Sequence, residues 1–317
     1  MNKIKSIIIN SLKLRRIPQW FIWIWAAGII FLLIYFIIKG KYYFWIEIWF
    51  LLEILVLSIL TRTVGWKRLL SIFLQGIVIS GGLAFLLYKL MSIAGADMGS
   101  TLISGWIVGP AEELFKLIPV ALTVYFLYKI RKSMPNASDF LILSVLAGSG
   151  FGIIEKTFWE GISFPFTYGP HIGGLYFFPD ALGIMVDGRV FGYIGHAAAT
   201  GLIGMAVGLA LHIRKRVKKE WVWAIPALVY FWVSVEHALL NSYYANGSKA
   251  LLKIGGGIVT PWIFIVFLIA VLAIDGFSLL AWLKKRPECR KLLKNKETYF
   301  FKTLHVFNIL ASKEKAK

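Results

Sequence analysis

The sequence has few of the residues that a soluble protein uses for solvation or cross-linking. Only 16% of its 317 residues are charged, whereas a typical soluble domain has about 25%. Acidic residues are the scarcest, with 16 Asp and Glu against 35 Lys and Arg. The single cysteine, Cys289, excludes a disulfide framework and a thiolate metal cluster. Together these shortages exclude an ordinary soluble enzyme.

Hydrophobic residues are abundant instead, at 58% of the chain. A helix that crosses a bilayer needs about 20 mostly apolar residues. Eight stretches qualify, which predicts an all-α, polytopic membrane helix bundle. The predicted spans are 18–38, 42–60, 69–95, 101–130, 139–158, 185–213, 221–244 and 257–283. We therefore expect a single transmembrane domain over residues 1–283, followed by a tail over 284–317.

The basic residues are distributed unevenly between the two sides that these spans define. With the N-terminus inside, 27 of the 35 Lys and Arg fall on one side and five on the other, and three lie within spans. Cytoplasmic loops carry such an excess, so both termini are expected in the cytoplasm and the chain in the cell membrane. The basic tail 284–317 is predicted to lie on anionic lipid as an amphipathic segment. Nucleic-acid binding is not expected.

Four consecutive predicted spans, from 101–130 to 221–244, carry carboxylates or imidazoles. Ionisable groups inside a bilayer are costly and are therefore functional candidates. Several are three or four residues from a polar neighbour, which places both on one helix face. A helical rise of about 1.5 Å per residue puts the set near the bilayer midplane or on its outer side. The candidates are Glu112, Glu113, Lys116, Glu155, His196, Thr200, His237 and Asn241.

This combination of residue types predicts a particular chemistry. A glutamate and two histidines from three helices suit a catalytic zinc, which takes three protein ligands and leaves a position for water. A second glutamate can accept the proton of that water. The sequence contains neither HExxH nor G-x-S-x-G, so a soluble-metalloprotease helix and a serine nucleophile are not expected. Taken one at a time, the same residues also fit buried ion pairs or hydrogen-bonded packing residues.

In this order on successive spans, the residues resemble the PrsW-type intramembrane proteases. That family is related to the CAAX prenyl proteases and to bacteriocin-processing membrane proteases. The matching segments are Glu112-Glu113-Leu114-Phe115-Lys116 (EExxK), Phe151-Gly152-Ile153-Ile154-Glu155 (FxxxE), His196 in a Gly-rich helix, and His237-Ala238-Leu239-Leu240-Asn241 (HxxxN). The resemblance covers about residues 100–245. Glu155 stands where CAAX proteases have a histidine, which favours the PrsW branch and argues against a prenylated substrate.

The resemblance implies an endopeptidase that cleaves a membrane-anchored protein near its extracytoplasmic boundary. Either Glu112 or Glu113 would be the catalytic base. Glu155, His196 and His237 would hold zinc, or water in a metal-free glutamate mechanism. The sequence leaves the choice between the two bases open, and it does not predict an oligomeric state.

The remaining site residues are assigned supporting roles. Asn241 would support the oxyanion or orient His237. Lys116 can neutralise a neighbouring carboxylate, and Thr200 can orient an imidazole one turn away. Arg189 is expected to cap its helix together with Asp187, with a contact to a substrate carbonyl as the alternative.

Two other functions use the same residues. A metal-ion or proton transporter could use the same Glu/His layer, but it needs a polar route to the cytoplasmic face, and residues 121–126 and 140–143 are mostly apolar. A catalytically silent membrane scaffold is the third alternative.

The aromatic loop 159–184 is expected to be an interfacial belt or a lid. Three glycine pairs are expected to pack helices closely, namely Gly148 with Gly152, Gly188 with Gly192 and Gly204 with Gly208.

Overall fold

Helices form most of the described chain, as an apolar environment requires, because a helix satisfies its backbone hydrogen bonds internally. The computed structural model describes residues 42–131, 134–158, 184–186, 189–191, 194–248, 250 and 259–285. The chain divides into two units, Met1–Ile46 and Glu47–Lys317. Only residues 42–46 of the first unit are described, and they begin a helix.

The described elements are helices, helical turns and one pair of short strands. In chain order they are α1 (Tyr42–Leu57), α2 (Trp66–Gln75), a π-helical segment (Gly76–Ser80), α3 (Gly81–Ile93), a second π-helical segment (Thr101–Val108), α4 (Gly109–Arg131), α5 (Ala137–Phe158), β1 (Ile184–Val186), β2 (Arg189–Phe191), α6 (Gly195–Val217), a 3₁₀ turn (Glu220–Trp223), α7 (Ala224–Asn246) and α8 (Val259–Lys285). Helix α2, the first π-helical segment and α3 form one continuous helix, Trp66–Ile93.

Five of the described helices are long and apolar enough to cross a membrane. They are Trp66–Ile93, Ala137–Glu155, Gly195–Val217, Glu220–Asn246 and Val259–Leu283. Each corresponds to a predicted span. The predicted span 101–130 is helical but is not among the five, since it carries Glu112, Glu113 and Lys116. The predicted span 18–38 and the tail 284–317 lie outside the described residues, apart from the end of α8, so eight spans and the side of the termini stay predictions.

One predicted boundary is wrong. The span expected over 185–213 begins at Gly195 instead, and the residues before it form an antiparallel hairpin in which Val186 pairs with Arg189. The dipeptide between these two residues in the sequence is Asp187-Gly188, which favours two-residue hairpin turns. Gly195 has a φ of +82°, which glycine adopts without strain. Apolar content alone does not reveal this break.

Helices α5 and α6 form the centre of the bundle. Within their most apolar stretches 94% and 78% of residues are buried, against 22% for α8. Their close approach depends on small residues. A side-chain carbon at Gly204 would lie 2.6 Å from the Phe140 carbonyl oxygen, and one at Gly208 would lie 2.7 Å from Ala137 Cα. This agrees with the predicted packing of these two glycines, whereas Gly188 and Gly192 lie outside the described residues.

Hydrogen bonds fasten the N-terminal end of α5 to two neighbouring parts of the chain. The Asp139 carboxylate accepts from Thr63 N at 2.6 Å and from Val64 N at 2.9 Å, which fixes the turn before α2. Asp275 of α8 accepts from Ser138 N at 2.6 Å. These bonds supply partners for backbone donors that the helix cannot satisfy itself.

Candidate active site

Helix α4 carries three ionisable side chains into the interior. Glu112, Glu113 and Lys116 are exposed by 1%, 0% and 0%. Lys116 Nζ donates to Glu113 Oε1 at 2.6 Å. A spacing of three residues puts both groups on one helix face. Because an unpaired buried charge is strongly disfavoured, this ion pair is a condition for burying either group.

The position of α4 is fixed by contacts just before and just after the acidic pair. The Tyr230 hydroxyl donates to the Pro110 carbonyl oxygen at 3.0 Å. Pro119 has no backbone N–H, so it leaves the carbonyl of Phe115 without its helical partner. Ser80 Oγ donates to that Phe115 carbonyl at 3.1 Å. The first π-helical segment thus supplies the hydrogen bond that Pro119 cannot donate, and it holds α4 beside the continuous helix formed by α2 and α3.

Helix α7 brings His237 to both glutamates. His237 Nδ1 lies 2.7 Å from Glu113 Oε1, and His237 Nε2 lies 3.4 Å from Glu112 Oε2. Two glycines allow α7 to come this close. A side-chain carbon at Gly105 would lie 2.8 Å from the Ala238 carbonyl oxygen, and one at Gly109 would lie 3.3 Å from Ala238 N. Small residues four apart permit such close helix approach.

Helix α6 places His196 on the opposite side of the same centre. His196 Nδ1 lies 2.8 Å from Lys116 Nζ, and His196 Nε2 contacts Glu155 Oε2. The His196 ring packs edge-on against Phe151 with centroids 4.9 Å apart. A side-chain carbon at Gly148 would collide with the His196 carbonyl oxygen. Gly148 therefore allows the approach of α5 and α6 that the sequence predicts for it.

These contacts bring potential metal ligands together at one point. One ligand atom each from Glu113, His196 and His237 lies within 4.8 Å of the others, and all three residues are buried. Two imidazoles and one carboxylate from three helices match the donor set of a catalytic zinc site. The sequence predicts Glu155 as the third ligand, whereas in the structure the third residue of the group is Glu113. The Glu155 carboxylate instead contacts His196 Nε2.

The charges around the centre also suit a divalent cation. Among the described side chains, the carboxyl groups of Glu112, Glu113 and Glu155 surround the two histidines together with one ammonium group, that of Lys116. Buried carboxylates are stable only when hydrogen bonds or positive charges compensate them. A divalent cation among Glu113, His196 and His237 would supply the missing positive charge. The residues present therefore fit a metal.

The predicted supporting residues lie at varying distance from the centre. Thr200 Oγ1 donates to the backbone carbonyl of His196 at 2.7 Å, rather than to its ring. Asn241 Nδ2 donates to the Ser104 carbonyl at 3.1 Å, which ties α7 to the second π-helical segment. Residue 189 lies in β2 and not in a helix. Its side chain and Asp187 lie outside the described residues, so the supporting role of Arg189 stays a prediction.

Two features of the site were not found in the sequence. The Tyr88 side chain on α3 hydrogen-bonds to Glu112, and nothing in its spacing to the motifs distinguishes it from other tyrosines. The second feature is the glycine pair Gly105 and Gly109. These two glycines are four residues apart, as in the glycine pairs that the sequence does predict, so the same spacing could have identified them. π-Helical turns are frequent at functional sites, and the one at Thr101–Val108 leads directly into the acidic motif.

The comparison with known families agrees with this arrangement. Residues 64–274 match the family described as PrsW family intramembrane metalloprotease. The match covers more than half of the chain and includes every helix that contributes to the site. No match to a curated protein or to a solved structure is significant. With the described apolar helices, the family match makes this a multi-pass membrane protein, and the chain belongs to the PrsW family of intramembrane metalloproteases.

Proposed function

We propose that the protein is a zinc endopeptidase that hydrolyses a peptide bond of a membrane-anchored protein near the extracytoplasmic side of the bilayer. The observation that carries this proposal is the buried group of Glu113, His196 and His237, with the Glu112 carboxyl 3.4 Å from His237 Nε2. A ligand set with a further carboxylate beside it is what metal-assisted hydrolysis requires.

In the proposed arrangement each residue has one task. Glu113, His196 and His237 would hold the zinc ion, which when bound supplies Lewis acidity toward water and the scissile carbonyl. Glu112 would be the general base, because it lies beside the ligands without belonging to their group. Glu155 would orient His196 through its Nε2 contact, as carboxylates beside metal-site histidines do. Both ring nitrogens of His196 and of His237 contact other side chains, so holding a zinc ion would require each histidine to exchange one of these contacts.

Lys116 and Asn241 would act on the position of these groups. Lys116 contacts both Glu113 and His196, so while no metal is bound it would compensate the Glu113 carboxylate and hold His196 beside it. Asn241 is four residues after His237 and donates to the Ser104 carbonyl. It would hold the turn of α7 that carries His237 in place, and support of an oxyanion is the other role proposed for it.

The substrate class follows from the location of the site. The central ligands are buried in a bundle of apolar helices, so a substrate must reach them from within the membrane or from its boundary. A substrate helix hides its carbonyls in hydrogen bonds, so the segment to be cleaved must unwind locally. The charge asymmetry of the chain predicts that the site faces the outer leaflet.

A metal-ion or proton transporter would use the same site differently. It needs polar groups between the site and the opposite face. The stretch of α5 from Phe140 to Leu143 is apolar and buried. This favours hydrolysis over transport.

The experiment that tests the proposal measures cleavage and metal together. Membranes containing the full-length protein or the variants Glu112→Gln, Glu113→Gln, His196→Ala or His237→Ala are compared for new N-termini in membrane proteins. Zinc content is measured on the same purified proteins. Glu220→Gln and Lys89→Met are the controls, since both positions are exposed and lie outside the ligand group.

The expected result is loss of cleavage in all four site variants and in neither control. Zinc should be lost with Glu113→Gln, His196→Ala and His237→Ala. Folded site variants that keep cleaving would overturn the site. Cleavage by wild type that survives complete zinc removal would replace the zinc mechanism with a glutamate-activated water. Zinc movement across vesicles without cleavage would support the transporter instead.

A further inference from the structure

A second polar cavity lies at the other end of α6 from the candidate active site. Its volume is about 310 Å³, and its walls come from the turn before α2, the start of α5, the last turns of α6 and the end of α8. His212 in this cavity is 16 residues after His196, or about 24 Å along the helix axis. The cavity is therefore separate from the Glu/His centre. The charge asymmetry of the sequence predicts that this end is cytoplasmic.

Basic groups outnumber acidic groups in the lining of this cavity, although Asp139 outside the lining interacts electrostatically with Arg62. The lining contains Arg62, His212 and Lys215, and Asp275 is its one acidic residue. The Asp275 carboxylate accepts a hydrogen bond from Ser138 N at 2.6 Å, which engages one of its oxygens. The cavity thus has an excess of donors and of positive charge.

Arg62 is held in a fixed position, and one of its donors has no partner among the described residues. Its Nη1 donates to the Val64 carbonyl at 3.1 Å, and its guanidinium lies 4.3 Å from the centre of the Trp66 ring. Its Nε is buried and has no hydrogen-bond partner within the described part of the chain. A buried charged donor without a partner is costly, so a ligand that accepts from Arg62 would be stabilised here.

An apolar cleft continues from this cavity along the surface of the bundle. A second cavity of about 540 Å³ shares His212 and Ser278 with the first and lies between α6 and α8. Apart from Arg216 at its end, its walls are mainly aliphatic and aromatic, with Ile213, Ile274 and Phe277 among them. Phe277 is 71% exposed, on a helix that is long and apolar enough to cross the membrane. A basic pocket that opens into an apolar cleft has the shape and polarity of a phospholipid.

We propose that this pocket binds an anionic phospholipid, with the phosphate group at Arg62 and Lys215 and an acyl chain along the α6–α8 cleft. Basic pockets between transmembrane helices on the cytoplasmic side are suited to acidic headgroups. Free phosphate fits the polar cavity but leaves the apolar cleft unused. The bound lipid links the turn before α2 to α6 and α8, and so stabilises the end of the bundle opposite the site.

The test uses the purified full-length protein in a neutral detergent and does not depend on proteolysis. Dioctanoyl phosphatidylglycerol, dioctanoyl phosphatidylcholine and inorganic phosphate are the probes. Native mass spectrometry counts the bound lipid, and the melting temperature reports stabilisation. Lys215→Gln and the double variant Arg62→Gln/Lys215→Gln remove pocket charges. Lys67→Gln/Lys219→Gln is the control, since it removes two exposed charges at the same end that line neither cavity.

Wild type should bind phosphatidylglycerol about tenfold more tightly than phosphatidylcholine, and each lost pocket charge should weaken that binding about fivefold. The control should change it by less than about twofold. Lys215 is exposed at the rim, so its single variant gives a reading even if Arg62→Gln impairs folding. Equal losses in pocket and control variants, equal binding of both lipids, or stabilisation by inorganic phosphate alone would each overturn the proposal.

Discussion

His237 Nδ1 lies 2.7 Å from Glu113 Oε1, although the two residues are 124 positions apart in the chain. This contact joins α7 to α4 at the depth where Lys116 joins α4 to α6 through His196. Glu113 is therefore tied to α7 directly and to α6 through Lys116. A group held in this way loses little entropy when a ligand binds, because the helix packing already fixes it.

The central place of Glu113 predicts which glutamate holds zinc. Glu113→Gln should lower zinc affinity more than Glu155→Gln, because Glu113 belongs to the ligand group and Glu155 touches it only through His196. Removal of an orienting partner costs about 10–100-fold in metal affinity, so that range is expected for Glu155→Gln. Competition of each purified variant with a zinc chelator measures this, with Glu220→Gln as the reference. A larger loss of zinc affinity with Glu155→Gln than with Glu113→Gln would favour the ligand set predicted from the sequence, namely Glu155, His196 and His237.

Glu112 should be separable from the metal ligands. Glu112→Gln keeps the shape of the side chain but removes its ability to accept a proton, so cleavage should fall by about 10²–10⁴-fold. Zinc content should remain that of wild type, since Glu112 is outside the ligand group. Both quantities are measured on one preparation. Parallel loss of zinc would mean that Glu112 is itself a ligand.

The helix approach at Gly105 gives a prediction about stability. A methyl group at Gly105 would collide with Ser242 Oγ and lie 2.8 Å from the Ala238 carbonyl oxygen, whereas at Gly276 nothing lies within 4 Å. Gly105→Ala should therefore destabilise the protein by about 1–3 kcal/mol and move α7 away from α4. Gly276→Ala should be neutral or slightly stabilising. Thermal unfolding in detergent compares the two, and equal melting temperatures would contradict the close approach.

The sequence predicted the residues of the site better than their arrangement. Ionisable side chains in apolar helices are conspicuous, so Glu113 and Glu155 were both found. Which of them faces the two histidines depends on the rotation of each helix about its axis, and that is set by packing at residues such as Gly105 and Gly148. Hydropathy also extends the predicted sixth span through the hairpin before Gly195, because five of the six paired residues are apolar.

The Lys116 ammonium group and a bound metal ion would both compensate the negative charge of the Glu113 carboxylate. Removing one partner of a buried ion pair costs about 3–5 kcal/mol, so Lys116→Met should lower the melting temperature. Lys89→Met, at an exposed position on α3, should not.

Added zinc should stabilise Lys116→Met more than it stabilises wild type, since the cation then replaces a missing positive charge beside Glu113. A ligand that binds only the folded state stabilises it by RT ln(1 + [L]/Kd), so the zinc-dependent shift in melting temperature reports affinity without an activity assay. Equal shifts in both proteins would show that Lys116 and the metal do not act on the same carboxylate. The ion pair would then be a packing feature of α4 alone.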